Sequence, residues 1–325
     1  MSQNAINGTI PSTITDLPRL AGLDLSFNAL TGDVPAFQSS TLEWIDLSDN
    51  EGLRLDLVGL ARSSATSFTQ LFCSSCSLTA SLHEVAFENL QSLQYLILDH
   101  AGVTGSIPSS LALLPQLEFL SLTGNAITGS IPHEFGTMSK LSSLSLSDNA
   151  LTGNVPPMPS STLARLVLAG NDLRDDIGRL LSGLPRESLQ FLDISNNAGI
   201  GGTIPSHLGE FHQLSGFMGF SMSLTGTIPT EIETLLRLQD LQLYSNSLTG
   251  TIPRGIISLG ELVTLFLHDN SIVDDMSDVV CDEKEWWGFS SDCVKKVVCP
   301  CCTDCWDIET GWMAASEVEN VVLDP

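Results

Sequence analysis

Leu117-Glu118-Phe119-Leu120-Ser121-Leu122-Thr123-Gly124-Asn125-Ala126-Ile127-Thr128-Gly129-Ser130-Ile131-Pro132 is the stretch that decides the fold. Leu117, Leu120 and Leu122 fall where a short strand points inward, and the residues between them point outward, because successive strand side chains alternate faces. Asn125 sits where the chain turns away from that strand. Its amide both donates and accepts, so it suits buried turn backbone, stacking as a ladder from one copy to the next. Ile127 then re-enters the core, Thr128-Gly129 supplies a turn, and Ile131-Pro132 is a second, edge-tolerant extended stretch. A short helical or 3₁₀ segment, His133 to Lys140, is expected to cross the far side.

The pattern returns about every 24 residues, with clear copies from Leu141 to Pro156 and from Leu238 to Pro253. Its pivot slot holds Asn4, Asn28, Asn50, Cys76, Ala101, Asn125, Asn149, Asn171, Asn197, Met222, Asn246 and Asn270. Self-similarity at this period defines a leucine-rich-repeat solenoid, whose units have no independent core and present a long surface. The T-G-x-I-P element resembles the plant-type repeats of receptor-kinase ectodomains, receptor-like proteins and polygalacturonase inhibitors, over roughly residues 3 to 276. The expected fold is therefore an α/β solenoid, a horseshoe or superhelix with a parallel concave sheet. The resemblance adds second short strands at the I-P segments and short convex 3₁₀ or α segments. Fold of this kind does not carry function.

Pivot spacings run 24, 22, 26, 25, 24 and then 24, 22, 26, 25, 24, 24, so an irregular order recurs with an offset of 121 residues. Residues 28 to 50, NALTGDVPAFQSSTLEWIDLSDN, align with residues 149 to 171, NALTGNVPPMPSSTLARLVLAGN. A five-repeat block copied as a unit explains this, with convergent repeat lengths as the alternative.

The 325-residue chain, 42% hydrophobic, can bury a continuous core. Its length suggests about two domains, but the repeats argue for one elongated domain over 1–276. A net charge of −25, from 13 basic and 38 acidic residues, argues against nucleic acid or anionic lipid as partner. No apolar run reaches the roughly 18 residues that span a membrane. Met1 starts inside a repeat with no signal sequence or N-terminal cap, so a preceding segment carrying a signal or anchor is expected.

Six of the eight cysteines, Cys281, Cys293, Cys299, Cys301, Cys302 and Cys305, lie within 25 residues beyond the repeats. A cysteine-rich cap over 277–305, stapled by three disulfides, would cover the last repeat and place the chain in an oxidising compartment. Zinc held by thiolates, or plain thiols, are the alternatives. The location expected is extracellular or cell-surface, with cytoplasm as alternative, and the acidic tail 306–325 is expected to be flexible. Cys73 and Cys76 occupy a core leucine slot and a pivot slot, where buried structural thiols are expected. Asn7-Gly8-Thr9 is a lone glycosylation sequon.

No nucleophile elbow, phosphate-binding loop, dinucleotide fingerprint, zinc-protease or kinase signature is present, so no catalytic residue, metal or cofactor is expected. His100 and His268 end strands beside Asp99 and Asp269, where an exposed polar pair is expected rather than an acid–base couple. Binding is expected on the outward strand positions. Trp44, Phe72, Tyr95, Ile97 and Phe119 fall on four successive repeats and suit a peptide or a sugar ring, unless they merely pack laterally. Their counterparts across the 121-residue offset are Arg165, Asp193, Gly216, Met218 and Asp240. Asp24 and Asp46 share one slot on adjacent repeats: a solvated acidic rim, or a site for a basic peptide or divalent ion. Phe191, Met218, Phe220, Tyr244 and Phe266 form a second cluster, first explained by local packing. The expected function is recognition of a protein, peptide or glycan, with hydrolase inhibition and a structural cell-wall or adhesion role as alternatives.

Overall fold

The computed structural model describes residues 4–37, 41–62 and 68–275, and beyond these only the backbone of Gly288–Ser291, Val297–Val298, Asp304–Asp307 and Gly311–Ala314. Five cap cysteines and most of the acidic tail lie outside the described residues, and of Cys305 only the backbone is described. The chain forms two compact units, Met1–Asn171 and Asp172–Pro325. Coils are numbered here by their pivots, Asn4 marking coil 1 and Asn270 coil 12.

Unit 1 carries a parallel sheet of three-residue strands: Gly22–Asp24, Trp44–Asp46, Gln70–Phe72, Tyr95–Ile97, Phe119–Ser121, Ser143–Ser145 and Arg165–Val167. Register is strict, so Leu23, Ile45, Leu71, Leu96, Leu120, Leu144 and Leu166 form one inward row. All are buried. Unit 2 repeats the design with Phe191–Asp193, Gly216–Met218, Asp240–Gln242 and Thr264–Phe266, then the strands Gly288–Ser291 and Asp304–Asp307. Short parallel strands such as Ala126–Gly129 and Ser247–Gly250 build the second sheets at the Thr-Gly segments. There Gly129 holds φ 79°, and a Cβ on it would lie 3.1 Å from Ser106.

The pivot ladder forms as the residue type predicts. Asn50, fully buried, accepts from Leu30 N–H at 3.0 Å and donates to the carbonyls of Leu25, Leu47 and Ser48 at 3.0–3.2 Å. Each amide thus ties its own corner and the coil before it. Where the next coil's pivot is Cys76, Ala101 or Met222 and so has no amide, a backbone carbonyl substitutes: Leu53 N–H donates to the Asn50 carbonyl, Leu78 to that of Ala101 and Ile200 to that of Asn197. The residue before the pivot takes left-handed φ, from Phe27 at 54° to Asp269 at 54°, with glycine in that place at 124 and 170.

Cys73 and Cys76 are joined as a disulfide and are buried, which corrects the expectation of free thiols. They occupy the pivot and the slot three residues before it. In each asparagine coil from Asn28 onward that same pair is linked by a hydrogen bond, as from Asn125 to the Leu122 carbonyl at 2.8 Å. A covalent bond here replaces the amide's corner bond.

Among the described residues most connectors are 3₁₀ turns, and two α-helices, Leu57–Arg62 and Ile177–Ser182, start 120 residues apart in coils 3 and 8. Those are the coils followed by the longest pivot spacing, 26 residues, and the extra length admits a full helical turn. Asp56 and Asp176 accept from the N–H three residues on, at 2.9 and 3.0 Å, in the same capping role.

Candidate functional site

Alternation along each strand leaves two outward files in unit 1, and a third file lies two residues beyond the strand ends. The first runs Gly22, Trp44, Gln70, Tyr95, Phe119, Ser143, Arg165; the second, Asp24, Asp46, Phe72, Ile97, Ser121, Ser145, Val167. Phe119 stacks on Tyr95 with ring centres 4.8 Å apart and planes 11° off parallel. Phe72 leans on Tyr95 at 6.5 Å and 43°. Ile97 lies beside them, in register with Phe72. Phe119 remains 37% exposed, and the file continues at the small Ser143, so one ring of the patch stands open to a partner.

Trp44 does not join this stack. Its indole lies over Gly22, where a Cβ would come within 2.2 Å of the ring, and Gln70 separates it from Tyr95. Asp24 and Asp46 have local work. Asp24 accepts from Ser26 N–H at 3.0 Å and its hydroxyl at 2.7 Å, and Asp46 from Ser48 N–H at 3.0 Å. Each carboxylate caps the turn behind its own strand. Asp99 does the same for the next coil, accepting from Thr123 N–H at 2.8 Å and the Ser121 hydroxyl at 2.6 Å. The expected pairing of Asp99 with His100 is replaced by these bonds, and the His100 ring packs over Gly124.

Unit 2 reverses the chemistry of these positions. In its third file Phe220, Tyr244 and His268 form a continuous stack, with centres 4.4 and 4.5 Å apart and planes 8° and 11° off parallel. Phe266 meets Tyr244 and His268 edge-on at 6.5 and 6.3 Å. His268 is 3% exposed, so the expectation of a surface polar pair fails there. Burial lowers its pKa from 6.5 to about 4, against an opposing pull from Asp269, and it is neutral at pH 7. Burial also raises the Asp240 carboxyl, relieved in part by Gln242 and reinforced by Asp193; Tyr244 rises through burial and then Asp193. His268 escaped the sequence reading because it lies past the strand, where alternation gives no burial signal. The aromatic residue 24 positions earlier, Tyr244, was the available clue.

No helix among the described residues is long and apolar enough to cross a membrane, and no cluster of His, Cys, Asp or Glu there is arranged to hold a metal. The Leucine Rich Repeat family model matches residues 116–138 and 237–259, two segments themselves 121 residues apart. No curated protein sequence matches the chain. Among solved structures, it is similar to the plant peptide hormone receptor RGFR1 in complex with RGF2, at 29% identity and TM-score 0.70, covering 83% of this chain and 47% of that one. The Arabidopsis receptor kinase HAESA, in complex with the peptide hormone IDA and co-receptor SERK1, aligns at 26% identity and TM-score 0.69 over 86% and 51%. A plant ice-binding protein aligns at 26% and 0.59 over 84% and 80%. The chain thus spans about half the length of the receptor ectodomains it matches.

Proposed function

Because the chain is a leucine-rich-repeat protein of the plant type, we propose that it is a non-enzymatic, extracellular recognition module whose unit 1 binds a peptide or protein segment at Phe72, Tyr95, Ile97 and Phe119. The observation that carries this is the in-register stack on a rigid sheet, ending in a part-exposed Phe119 ring. Aromatic anchors of this kind supply large contact area at small entropic cost. Receptors of similar fold bind peptide hormones, which favours a peptide over a glycan. Trp44, Asp24 and Asp46 play supporting parts, shielding Gly22 and capping turns. The test is capture of secreted peptides by the intact chain against Tyr95→Ala/Phe119→Ala, with folding checked by circular dichroism. Loss of about tenfold or more in affinity is expected. Equal capture by both proteins removes the patch as the site and leaves hydrolase inhibition or a structural role.

A second reading rests on the second sheet of unit 2. Ser223, Thr225 and Thr227 in one coil, and Ser247, Thr249 and Thr251 in the next, all face solvent above buried Leu224, Ile228, Leu248 and Ile252. Rigid hydroxyl and methyl ranks about 4.8 Å apart can order water, as an ice surface demands. The similar ice-binding protein makes this worth measuring. Inhibition of ice recrystallisation that survives Thr225→Lys/Thr249→Lys refutes it.

A further inference from the structure

We propose that Asn7 is the acceptor of an N-linked oligosaccharide, a modification that rests on the extracellular reading of the chain. Asn7-Gly8-Thr9 is the single sequon of the sequence. A sequon can carry a sugar in the folded protein only where its amide nitrogen is free and the surface leaves room for a bulky group. Both conditions set Asn7 apart from the pivot asparagines, whose amides are committed to the corners. Asn28 donates to the Leu25 and Ser26 carbonyls at 2.9 and 3.0 Å, and Asn50 to three carbonyls. Asn7 stands three residues past its pivot, on the short strand Asn7–Gly8 that pairs with the second-sheet strand Ala29–Asp33. Its side chain makes no hydrogen bond or ion pair among the described residues. Asn7, Gly8 and Thr9 are all exposed, while Ile10 behind them is buried and anchors the segment. Gly8 holds φ 90°, and a Cβ on it would meet nothing within 4 Å, so the space over the sequon is open.

The repeat does not call for asparagine in this slot. In coils 2, 6 and 11 it holds Thr31, Thr128 and Thr249, whose hydroxyls donate to the Gly8, Gly105 and Gly226 carbonyls of the coil before at 3.2–3.4 Å. Those threonines are exposed as well, so the slot faces solvent in both units. Across the 121-residue offset Asn7-Gly8-Thr9 becomes Thr128-Gly129-Ser130, which keeps the glycine turn and lacks the acceptor amide. In the transfer, Asn7 Nδ2 bonds to the anomeric carbon of a lipid-pyrophosphate-linked oligosaccharide. The bond from that carbon to the pyrophosphate oxygen breaks, the lipid pyrophosphate leaves, and one amide proton passes to the base of the transferase. The attached sugar stands on the second sheet of coil 1, whereas Phe72, Tyr95 and Phe119 lie on the first sheet in coils 4 to 6. It therefore solvates one side of unit 1 and leaves the aromatic patch open.

The full chain would be translated behind an appended cleavable signal sequence in the presence of endoplasmic-reticulum microsomes, and the protease-protected product compared with and without peptide N-glycosidase. Wild type and Thr9→Ser are expected to show a mobility shift that the glycosidase removes, and Asn7→Gln and Thr9→Ala to show none. Thr9→Ala leaves Asn7 in place, so loss of its shift ties the sugar to the sequon. A protected wild-type chain without the shift, or a shift that survives in Thr9→Ala, overturns the site. Because the signal is supplied, that failure leaves the extracellular reading standing. A chain glycosylated in microsomes but bare at Asn7 when isolated from its own cells overturns instead the extracellular reading, and with it the modification in the cell.

Discussion

His268 makes the stability of unit 2 depend on pH in a window that its pKa defines. The ring is 3% exposed and stacked 4.5 Å from Tyr244, and burial holds its pKa at about 4 against 6.5 in an unfolded chain. Between these values the unfolded chain binds a proton that the folded chain does not. Stability at this group is therefore intact above pH 6.5, falls as pH drops from 6.5 toward 4, and falls no further below 4. The gap from 6.5 to about 4, at about 1.4 kcal/mol per pH unit, amounts to about 3 kcal/mol. His268→Phe keeps a ring in the stack and removes the titration. The readout is hydrogen exchange at the Ser245 N–H, which donates to the His268 carbonyl at 3.0 Å, because a repeat array need not unfold as one unit. Between pH 6.5 and 4 the wild type should lose about 3 kcal/mol more protection than His268→Phe. Parallel pH slopes for the two proteins would refute a buried, neutral histidine.

Asn50→Ala removes four hydrogen bonds at a fully buried corner and strands the Leu30 N–H, so unit 1 should lose about 3 kcal/mol by urea denaturation. A loss under about 1 kcal/mol would show that water or backbone replaces the ladder. Ser147 has a buried hydroxyl with no partner among the described residues, because Ser145 stands where Asp24, Asp46 and Asp193 serve the equivalent serines. Ser147→Ala should therefore be neutral or gain a few tenths of a kcal/mol, whereas Ser195→Ala, which deletes a 2.6 Å bond to Asp193, should lose about 1 kcal/mol. Equal effects from the two would count against the assigned bonds. Cys73→Leu/Cys76→Asn rebuilds the usual corner, so thermal stability should stay within about 1 kcal/mol of the oxidised protein, while Cys73→Leu/Cys76→Ala loses more.

The scaffold was legible because every constraint on it repeats. Leucine alternation, the pivot amide and the 26-residue spacings each have a local physical cause, so reading one coil reads the rest. The candidate face was legible only as a set of positions. Alternation correctly sends Trp44, Tyr95 and Phe119 outward, yet it cannot say that Trp44 folds across the vacant Gly22 while Tyr95 turns toward Phe119. Those outcomes depend on the volume of the neighbour one coil away. The Cys73–Cys76 bond hides for a similar reason, since each cysteine alone reads as a small buried hydrophobe. Only the fact that an asparagine pivot is hydrogen-bonded to its corner slot in coil after coil makes the pair expected.

The two units also show which positions the scaffold leaves free. Across the 121-residue offset Leu71, Leu96 and Leu120 become Leu192, Phe217 and Leu241, all buried. The outward residues between them do not hold. Phe72 and Phe119 become Asp193 and Asp240, and Asp99, Thr123 and Ser147 become Phe220, Tyr244 and His268. An exchange of apolar for acidic groups in one set of slots, and of polar for aromatic groups in another, leaves the inward rows apolar and buried. Core packing penalises changes of a single methylene, whereas outward slots answer only to their neighbours on the same face. Relaxed drift would scatter such changes. Instead, each face keeps one aromatic stack in a single file and carries its carboxylates in the other two. The framework thus fixes its inward rows and leaves the outward slots free to carry different surface chemistry in each unit.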